Sequence, residues 1–388
     1  MYLKELRNQN PWWHKTEWQE KDKHLRDFYR NKIKWFPSWL DEVSLKPFSL
    51  NFIIGPRQVG KTTGIKLLIK KLIEDKKISE ENILYVNCEI LPDFISLRKT
   101  LLEFLNETKK AFIFLDEVTS LKDWWKAVKS IIDVGIAERS VICITGSSSL
   151  KLKRHAEFFP GRKGKGKEIS VFPLNFQEYV KIMKENKIKK DIKEFFKDYI
   201  NTGGFALTIN GFSESEILAS FIGEFVRNDL SLEIAKETFA SVISKIPSAM
   251  SFHAIASETS GYSYKTIQQY LEVFRNLFIL EFAYLKRKKI EYRKEKKIFF
   301  LDPLLLKLFS YWSNSEFLKS ALMENIVQAH LYRKFGEIYY YRNRYEIDCI
   351  AGNMKVEVKA GKPYRKYPKG VKIVDEDNLP EFLLGLGK

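Results

Sequence analysis

Four largely apolar runs mark the first two fifths of the chain: Phe52 to Ile54, residues 83–88 (broken only by Asn87), Phe112 to Leu115 and Val141 to Ile144. A strand with one wet face alternates apolar and polar residues, whereas unbroken runs belong to parallel strands covered on both faces. Between the runs the spacing becomes helical. Ile65 to Ile73 carry one such stripe, and Leu121, Trp124, Trp125, Val128 and Ile132 carry another. The order strand, loop, helix, strand, helix, strand, helix, strand predicts a doubly wound α/β sheet with ligands at its carboxyl edge. From about residue 231 the chain turns helical and polar, and near its end two short strands flank Gly352-Asn353.

The turn after the first strand, in NFIIGPRQVGKTTG (51–64), reads G-x-x-x-x-G-K-T. Its residues Gly55, Pro56, Arg57, Gln58, Val59, Gly60, Lys61, Thr62 and Thr63 predict an ATP-binding loop. The glycines let backbone N–H groups face the β-phosphate. Lys61 bridges β- and γ-phosphate oxygens, and the Thr62 hydroxyl ligates Mg2+. AFIFLDEVTS (111–120) supplies the rest: Asp116 at the strand tip for the Mg2+ shell, and Glu117 to polarise the attacking water. The competing explanation is an acidic helix start, since Ser120 and Asp123 resemble a cap. Thr145, at the polar tip of VICITGSSS (141–149), is suited to bond the γ-phosphate or the water.

These motifs resemble those of AAA+ ATPases, in which Thr145 or Ser147 would be the sensor residue. GRKGKGKEISVFPLNFQEYV (161–180) is similar to the Gly-Arg and Pro-Leu-Ser-Phe-x-Glu segment of archaeal and bacterial AAA+ proteins that end in a PD-(D/E)XK nuclease-like domain, with Asn175 in place of Ser. NTGGFALTI (201–209) resembles their Gly-Gly-Phe-Pro lid motif, with Ala206 in place of Pro. The resemblance runs from about Asn51 onward. It implies ATP held between core and helical lid, and an arginine reaching the γ-phosphate: Arg162, with Arg154 in reserve. The other reading makes Arg162 part of a basic loop.

Residues 251–285 have the layout of a helix-turn-helix. Ser251 opens one helix, Gly261 marks the turn, and Ser263 caps a second helix with a core stripe of Ile267, Tyr270, Leu271 and Phe274. Lys265, Gln268, Gln269 and Arg275 then face outward, as residues reading a major groove do. Strands on either side of KRKKIEYRKEKK (286–297) predict a wing whose Lys288, Lys289, Lys296 and Lys297 contact phosphates. A lid or protein-contact role is the alternative. The net charge of +17 agrees with a polyanionic partner, and equally with a solvated lysine-rich surface.

In YEIDCIAGNMKVEVKAGK (345–362) a two-residue turn sets Ala351 opposite Met354, Cys349 opposite Val356 and Asp348 opposite Glu357. Two facing carboxylates repel, and a metal ion, a nearby cation or solvent alone must hold them together. The resemblance names Asp348 and Glu357-x-Lys359 as the nuclease-like acids and lysine, with Glu324 on the preceding helix beside them. Mg2+ would sit between the acids, with Lys359 aiding water or the developing charge. Equally open is a site without metal in which Lys359 pairs with Glu346. The crossover helix expected after Lys359 is broken by two prolines in GKPYRKYPKG (361–370), which points to a rearranged sheet or a trimmed, structural domain.

The predicted architecture is α/β throughout: an aromatic extension (1–45), an AAA+ P-loop core (46–185), a helical lid (186–230), a winged helix-turn-helix (231–312) and a small nuclease-like domain (313–388). Cys88, Cys143 and Cys349 lie in apolar runs without metal-ligand spacing, which predicts reduced core thiols and a cytoplasmic protein. No run is long enough for a membrane span. ATP, Mg2+ and DNA are the expected ligands, and self-association is left open. Two alternatives stand beside this: an ATP-gated Mg2+-dependent DNA nuclease, and a nucleotide switch with protein partners.

Overall fold

The computed structural model describes residues 2–14, 17–147, 159–343, 345–361 and 367–386. The chain forms two compact units, residues 1–172 and 173–388. In the first, β1 (Ser49–Ile54), β2 (Ile83–Asn87), β3 (Phe112–Asp116), β4 (Val141–Gly146) and β5 (Glu168–Ser170) make a parallel sheet in the order β2-β3-β4-β1-β5. The apolar runs therefore became buried parallel strands. Helices Lys61–Glu74, Phe94–Glu107 and Trp124–Asp133 follow β1, β2 and β3. The core between the sheet and Lys61–Glu74 joins Ile53, Ile65, Leu68, Tyr85 and Phe114 to Trp12, Trp18, Trp39 and Leu40. The N-terminal aromatics are thus part of this unit's interior. One local expectation fails: Asp123, with φ 58°, makes no side-chain cap to the helix after it.

The second unit carries helices and a mixed six-stranded sheet. Helices Ile192–Thr202 and Glu214–Arg227 occupy the expected lid segment. Ser251 and Ser263 cap helices Phe252–Ala256 and Tyr264–Asn276, and the stripe of Ile267, Tyr270, Leu271 and Phe274 is buried as expected. Phe239 stacks between Phe274 and Phe309, each centroid 4.2 Å away, at the centre of the core.

The sheet runs β11-β10-β9-β8-β6-β7 among the described residues. β6 (Leu280–Lys286) and β7 (Ile290–Phe300) form an antiparallel hairpin. Its tip is only Arg287 to Lys289, because Ile290 to Lys297 lie within β7 rather than in a long loop. β8 (Tyr339–Arg342) pairs parallel to β6 and antiparallel to β9 (Glu346–Ala351). The expected division at 312/313 thus falls between strands of one sheet. β10 (Met354–Lys359) pairs with β9 in the expected register, Ala351 opposite Met354 and Cys349 opposite Val356. β11 (Val371–Asp375) lies parallel beside β10, and helix Lys319–Phe335 packs on β9 and β10.

Candidate functional site

The phosphate loop leaves β1 at Ile54 and becomes helical at Lys61. Gly60 has φ 90°, a left-handed conformation that a side chain would strain. A Cβ on Gly55 would lie 2.1 Å from the Val171 carbonyl oxygen, so close approach of the chain demands that glycine. Lys61 is buried, and its ammonium donates to the carbonyls of Gly55 (2.9 Å) and Pro56 (2.7 Å). The cation is folded back onto its own loop. Neutral carbonyls hold it less strongly than phosphate oxygens would.

Asp116 ends β3 and gathers three hydroxyls. Its Oδ2 accepts from Thr62 (2.7 Å) and Tyr85 (2.8 Å), and its Oδ1 accepts from Thr145. Thr62 gives its proton to Asp116 and so keeps its lone pairs for a cation. A hydroxyl oxygen backed by a carboxylate fits Mg2+, a hard cation that takes oxygen ligands. Thr62 would hold the ion, with Asp116 behind it.

Glu117 comes next, with φ 50° and its backbone N–H donating to the Thr145 hydroxyl at 3.0 Å. Its carboxylate lies 3.9 Å from the Lys61 ammonium and 4.0 Å from the Arg57 guanidinium, which also holds Glu89 at 3.0 Å. One carboxylate oxygen, Oε2, is buried without a hydrogen-bond partner among the described residues. Burial raises the Glu117 pKa, Lys61 and Arg57 draw it down, and Asp116 and Glu89 raise it again. A buried carboxylate with a raised pKa, one oxygen near Lys61 and the other without a hydrogen bond near Arg57, is suited to polarise water.

Lys61, Thr62, Asp116, Glu117 and Thr145 are therefore brought together as the sequence predicts. Arg162 is elsewhere engaged: it pairs with Asp133 at 2.5 Å and donates to the Pro160 carbonyl at 3.3 Å. Arg154 lies outside the described residues. Tyr85 was missed by sequence reasoning, and its only signal was a phenol inside an otherwise aliphatic strand.

In the second unit the acids converge on a lysine. Lys297 of β7 lies 2.9 Å from Glu324, 3.0 Å from Glu346 and 2.8 Å from Asp348, and is only 2% exposed. This corrects the expectation that Lys297 contacts DNA. Neighbouring strand residues point to opposite faces, so one lysine of the 296–297 pair must turn inward. It also settles the expected partner of Glu346, which is Lys297 and not Lys359. Lys359 pairs with Glu357 at 2.5 Å, and the same carboxylate oxygen accepts from the Tyr367 hydroxyl at 3.0 Å. Asp348 Oδ2 accepts from the Val358 backbone N–H at 2.9 Å.

Burial pushes Glu324 up to about 8, although Lys297 opposes the shift. Burial disfavours the Lys297 charge, but Glu324, Asp348 and Glu346 hold its pKa well above the ordinary value. Among the described residues no group of three or more His, Cys, Asp or Glu is arranged to hold a metal ion. Mg2+ was expected between Asp348 and Glu357 with Glu324 beside them; the Lys297 ammonium bridges Glu324 and Asp348, and Lys359 holds Glu357.

The DNA-facing candidates separate by exposure. Lys265, Gln268 and Gln269 are exposed on helix Tyr264–Asn276, and Lys288 and Lys289 are exposed at the hairpin tip. Lys296 is half-buried, 4.6 Å above the Phe252 ring. Arg275 does not face outward freely: it pairs with Glu281 at 2.5 Å and Glu272 at 3.0 Å. The motif segments of the second unit shape its fold. Asn175 and Glu178 form a capping box, and the Gly204 N–H donates to Asp302 at 2.9 Å.

Residues 48–180 match the AAA domain family. The chain is 26% identical over 385 residues to an uncharacterized protein of Methanocaldococcus jannaschii, covering 87% of this chain and 82% of that protein. Among solved structures, it is similar to the Aeropyrum pernix ORC2 protein in its ADPNP-ADP complexes, with a TM-score of 0.42, 14% identity, and coverage of 71% of this chain and 90% of that one. The Aeropyrum pernix ORC1 protein in complex with DNA gives a TM-score of 0.35 at 13% identity, covering 68% and 86% of the two chains. No helix among the described residues is long and apolar enough to cross a membrane.

Proposed function

We propose that this chain is a Mg2+-dependent ATPase whose second unit engages DNA. The observation that carries the reading is the Thr62–Asp116 hydrogen bond beside a buried Lys61 and a buried Glu117 oxygen that has no hydrogen bond among the described residues. Lys61 exchanges the Gly55 and Pro56 carbonyls for β- and γ-phosphate oxygens, and loop N–H groups bind the β-phosphate. Glu117 accepts the proton of the attacking water, while Thr145 fixes the backbone that presents it. Mg2+ supplies charge neutralisation of the phosphate oxygens when bound. Hydrolysis in the first unit alters what the second unit grips.

DNA is the partner favoured by the net charge of +17 and by the exposed Lys265, Gln268, Gln269, Lys288 and Lys289. A cytoplasmic setting fits such a protein, and self-association is compatible with it. Lys297 inside the carboxylate cluster favours a nuclease-like domain that keeps a structural or DNA-holding role and does not cut.

Phosphate release should be measured with Mg-ATP alone and with single-stranded, double-stranded and branched DNA. The reading expects Mg2+-dependent release that DNA changes. Absence of release under all conditions sinks the ATPase, and release indifferent to every DNA points to protein partners instead.

A further inference from the structure

Within the first unit the edge of the sheet is closed by side chains in place of a neighbouring strand. β2 is an edge strand of the sheet. Asn10 is buried and makes a pair of hydrogen bonds with the backbone of Tyr85: its Nδ2 donates to the carbonyl at 2.9 Å, and its Oδ1 accepts from the N–H at 2.7 Å. Gln9 Oε1 accepts from the Asn87 N–H at 2.8 Å, and the Trp12 and Trp13 indoles donate to the Ile83 carbonyl at 3.1 and 2.9 Å. Residues 9–13 thus satisfy the outer edge of β2 from Ile83 to Asn87.

The strand so held carries Tyr85, whose hydroxyl donates to Asp116 Oδ2 at 2.8 Å. Parallel register puts Tyr85 opposite Phe114 and Asn87 opposite Asp116, so these side chains share the face covered by helix Lys61–Glu74. From that helix Lys66 brings its ammonium 3.6 Å from the Tyr85 ring centroid, and Asp22 of the N-terminal segment pairs with Lys66 at 3.1 Å. The ring is clamped on its backbone by Asn10 and on its face by Lys66. Its one polar atom points at the carboxylate that backs the Thr62 hydroxyl.

We propose that Tyr85 is a positioning residue of the ATP site, and that residues 9–13, by clamping the edge of β2, set the Asp116 carboxylate behind the cation. The inference rests on the ATPase reading above. Without the phenol, Asp116 keeps Thr62 and Thr145 but loses the donor that fixes its Oδ2 from the side of β2. The carboxylate then turns, and the Thr62 lone pairs turn with it.

The test compares wild type, Tyr85→Phe, Asn10→Ala and Lys61→Ala by binding of a fluorescent ATP analogue across a Mg2+ titration, alongside turnover and melting temperature. Tyr85→Phe should raise the Mg2+ concentration at half-maximal tightening about tenfold, the worth of a lost hydrogen bond to a charged group. It should lower kcat and leave Mg2+-free nucleotide affinity unchanged. Asn10→Ala should move the Mg2+ midpoint in the same direction by less. A merely structural phenol would lower the melting temperature and leave the midpoint where it was, which overturns the inference. Should Tyr85→Phe fail to fold, the midpoint of Asn10→Ala decides alone. Wild-type binding that ignores Mg2+ and matches Lys61→Ala would instead defeat the ATPase reading itself.

Discussion

The Lys297 ammonium lies 2.8 Å from Asp348 Oδ1 in the interior of the second unit. The sequence placed these residues in different tasks, one on a DNA-contacting wing and one in a metal site. Their pairing joins the β6–β7 hairpin to the β9–β10 hairpin and gives Asp348 a cation, while Lys359 serves Glu357. Lys297→Met should cost about 3–5 kcal/mol of stability, the usual penalty for stranding buried charge. Adding Glu324→Gln and Asp348→Asn should recover most of it. Denaturant unfolding of the three proteins checks this, and a loss near zero for Lys297→Met would refute it.

Glu324 gives the stability a pH dependence of definite sign. Its folded pKa, about 8, lies above the ordinary 4.5 because the carboxyl is buried. The folded state therefore binds the extra proton, and its contribution is fully present below about pH 4.5. It fades as pH rises and is gone above about 8. Melting temperature between pH 5 and 8.5 should fall less steeply in Glu324→Gln than in wild type. Parallel curves would show that Glu324 does not carry the proton.

Lys297 already supplies a cation to Glu324 and Asp348, and Lys359 supplies one to Glu357. Mg2+ or Mn2+ added to Lys61→Ala protein should leave the melting temperature unchanged, and neither metal should permit cleavage of DNA. Stabilisation that Asp348→Asn removes, or cutting that Lys359→Ala abolishes, would restore the nuclease reading.

If the exposed lysines lie along phosphates, Lys265→Glu with Lys288→Glu and Lys289→Glu should weaken binding to all DNA sequences alike. It should also flatten the dependence of log affinity on log salt by about one unit for each phosphate-bound lysine removed. Lys297→Met, a buried site, should leave the salt slope intact. Unchanged slopes in the triple variant would move the DNA-binding surface to the 159–167 loop or elsewhere.

Much of the first unit was legible because its chemistry is local in sequence. The buried strands announced themselves as largely apolar runs, and the phosphate-loop residues from Gly55 to Thr62 are recognisable from their own spacing. The β9–β10 register was legible for the same reason, since a two-residue turn fixes it. What escaped depends on distant pairing. Nothing in residues 286–297 tells which lysine of 296 and 297 faces inward, because that is set by β7 lying against helix Lys319–Phe335. Tyr85 escaped likewise: its partner Asp116 is on a neighbouring strand, and Asn10 holds it from the start of the chain. Arg162 looked free because Asp133 is distant in sequence.

The division of labour between Lys61 and Glu117 is the centre of the account, and one experiment separates the two. Mg-ATP affinity and steady-state phosphate release should be measured together in wild type, Lys61→Ala and Glu117→Gln. Lys61→Ala should lose binding and turnover alike, because the phosphate cradle is gone. Glu117→Gln should bind Mg-ATP as tightly as wild type and release phosphate at least about a hundredfold more slowly, the scale of a missing general base. Near-normal turnover in Glu117→Gln would contradict the account by removing Glu117 from catalysis.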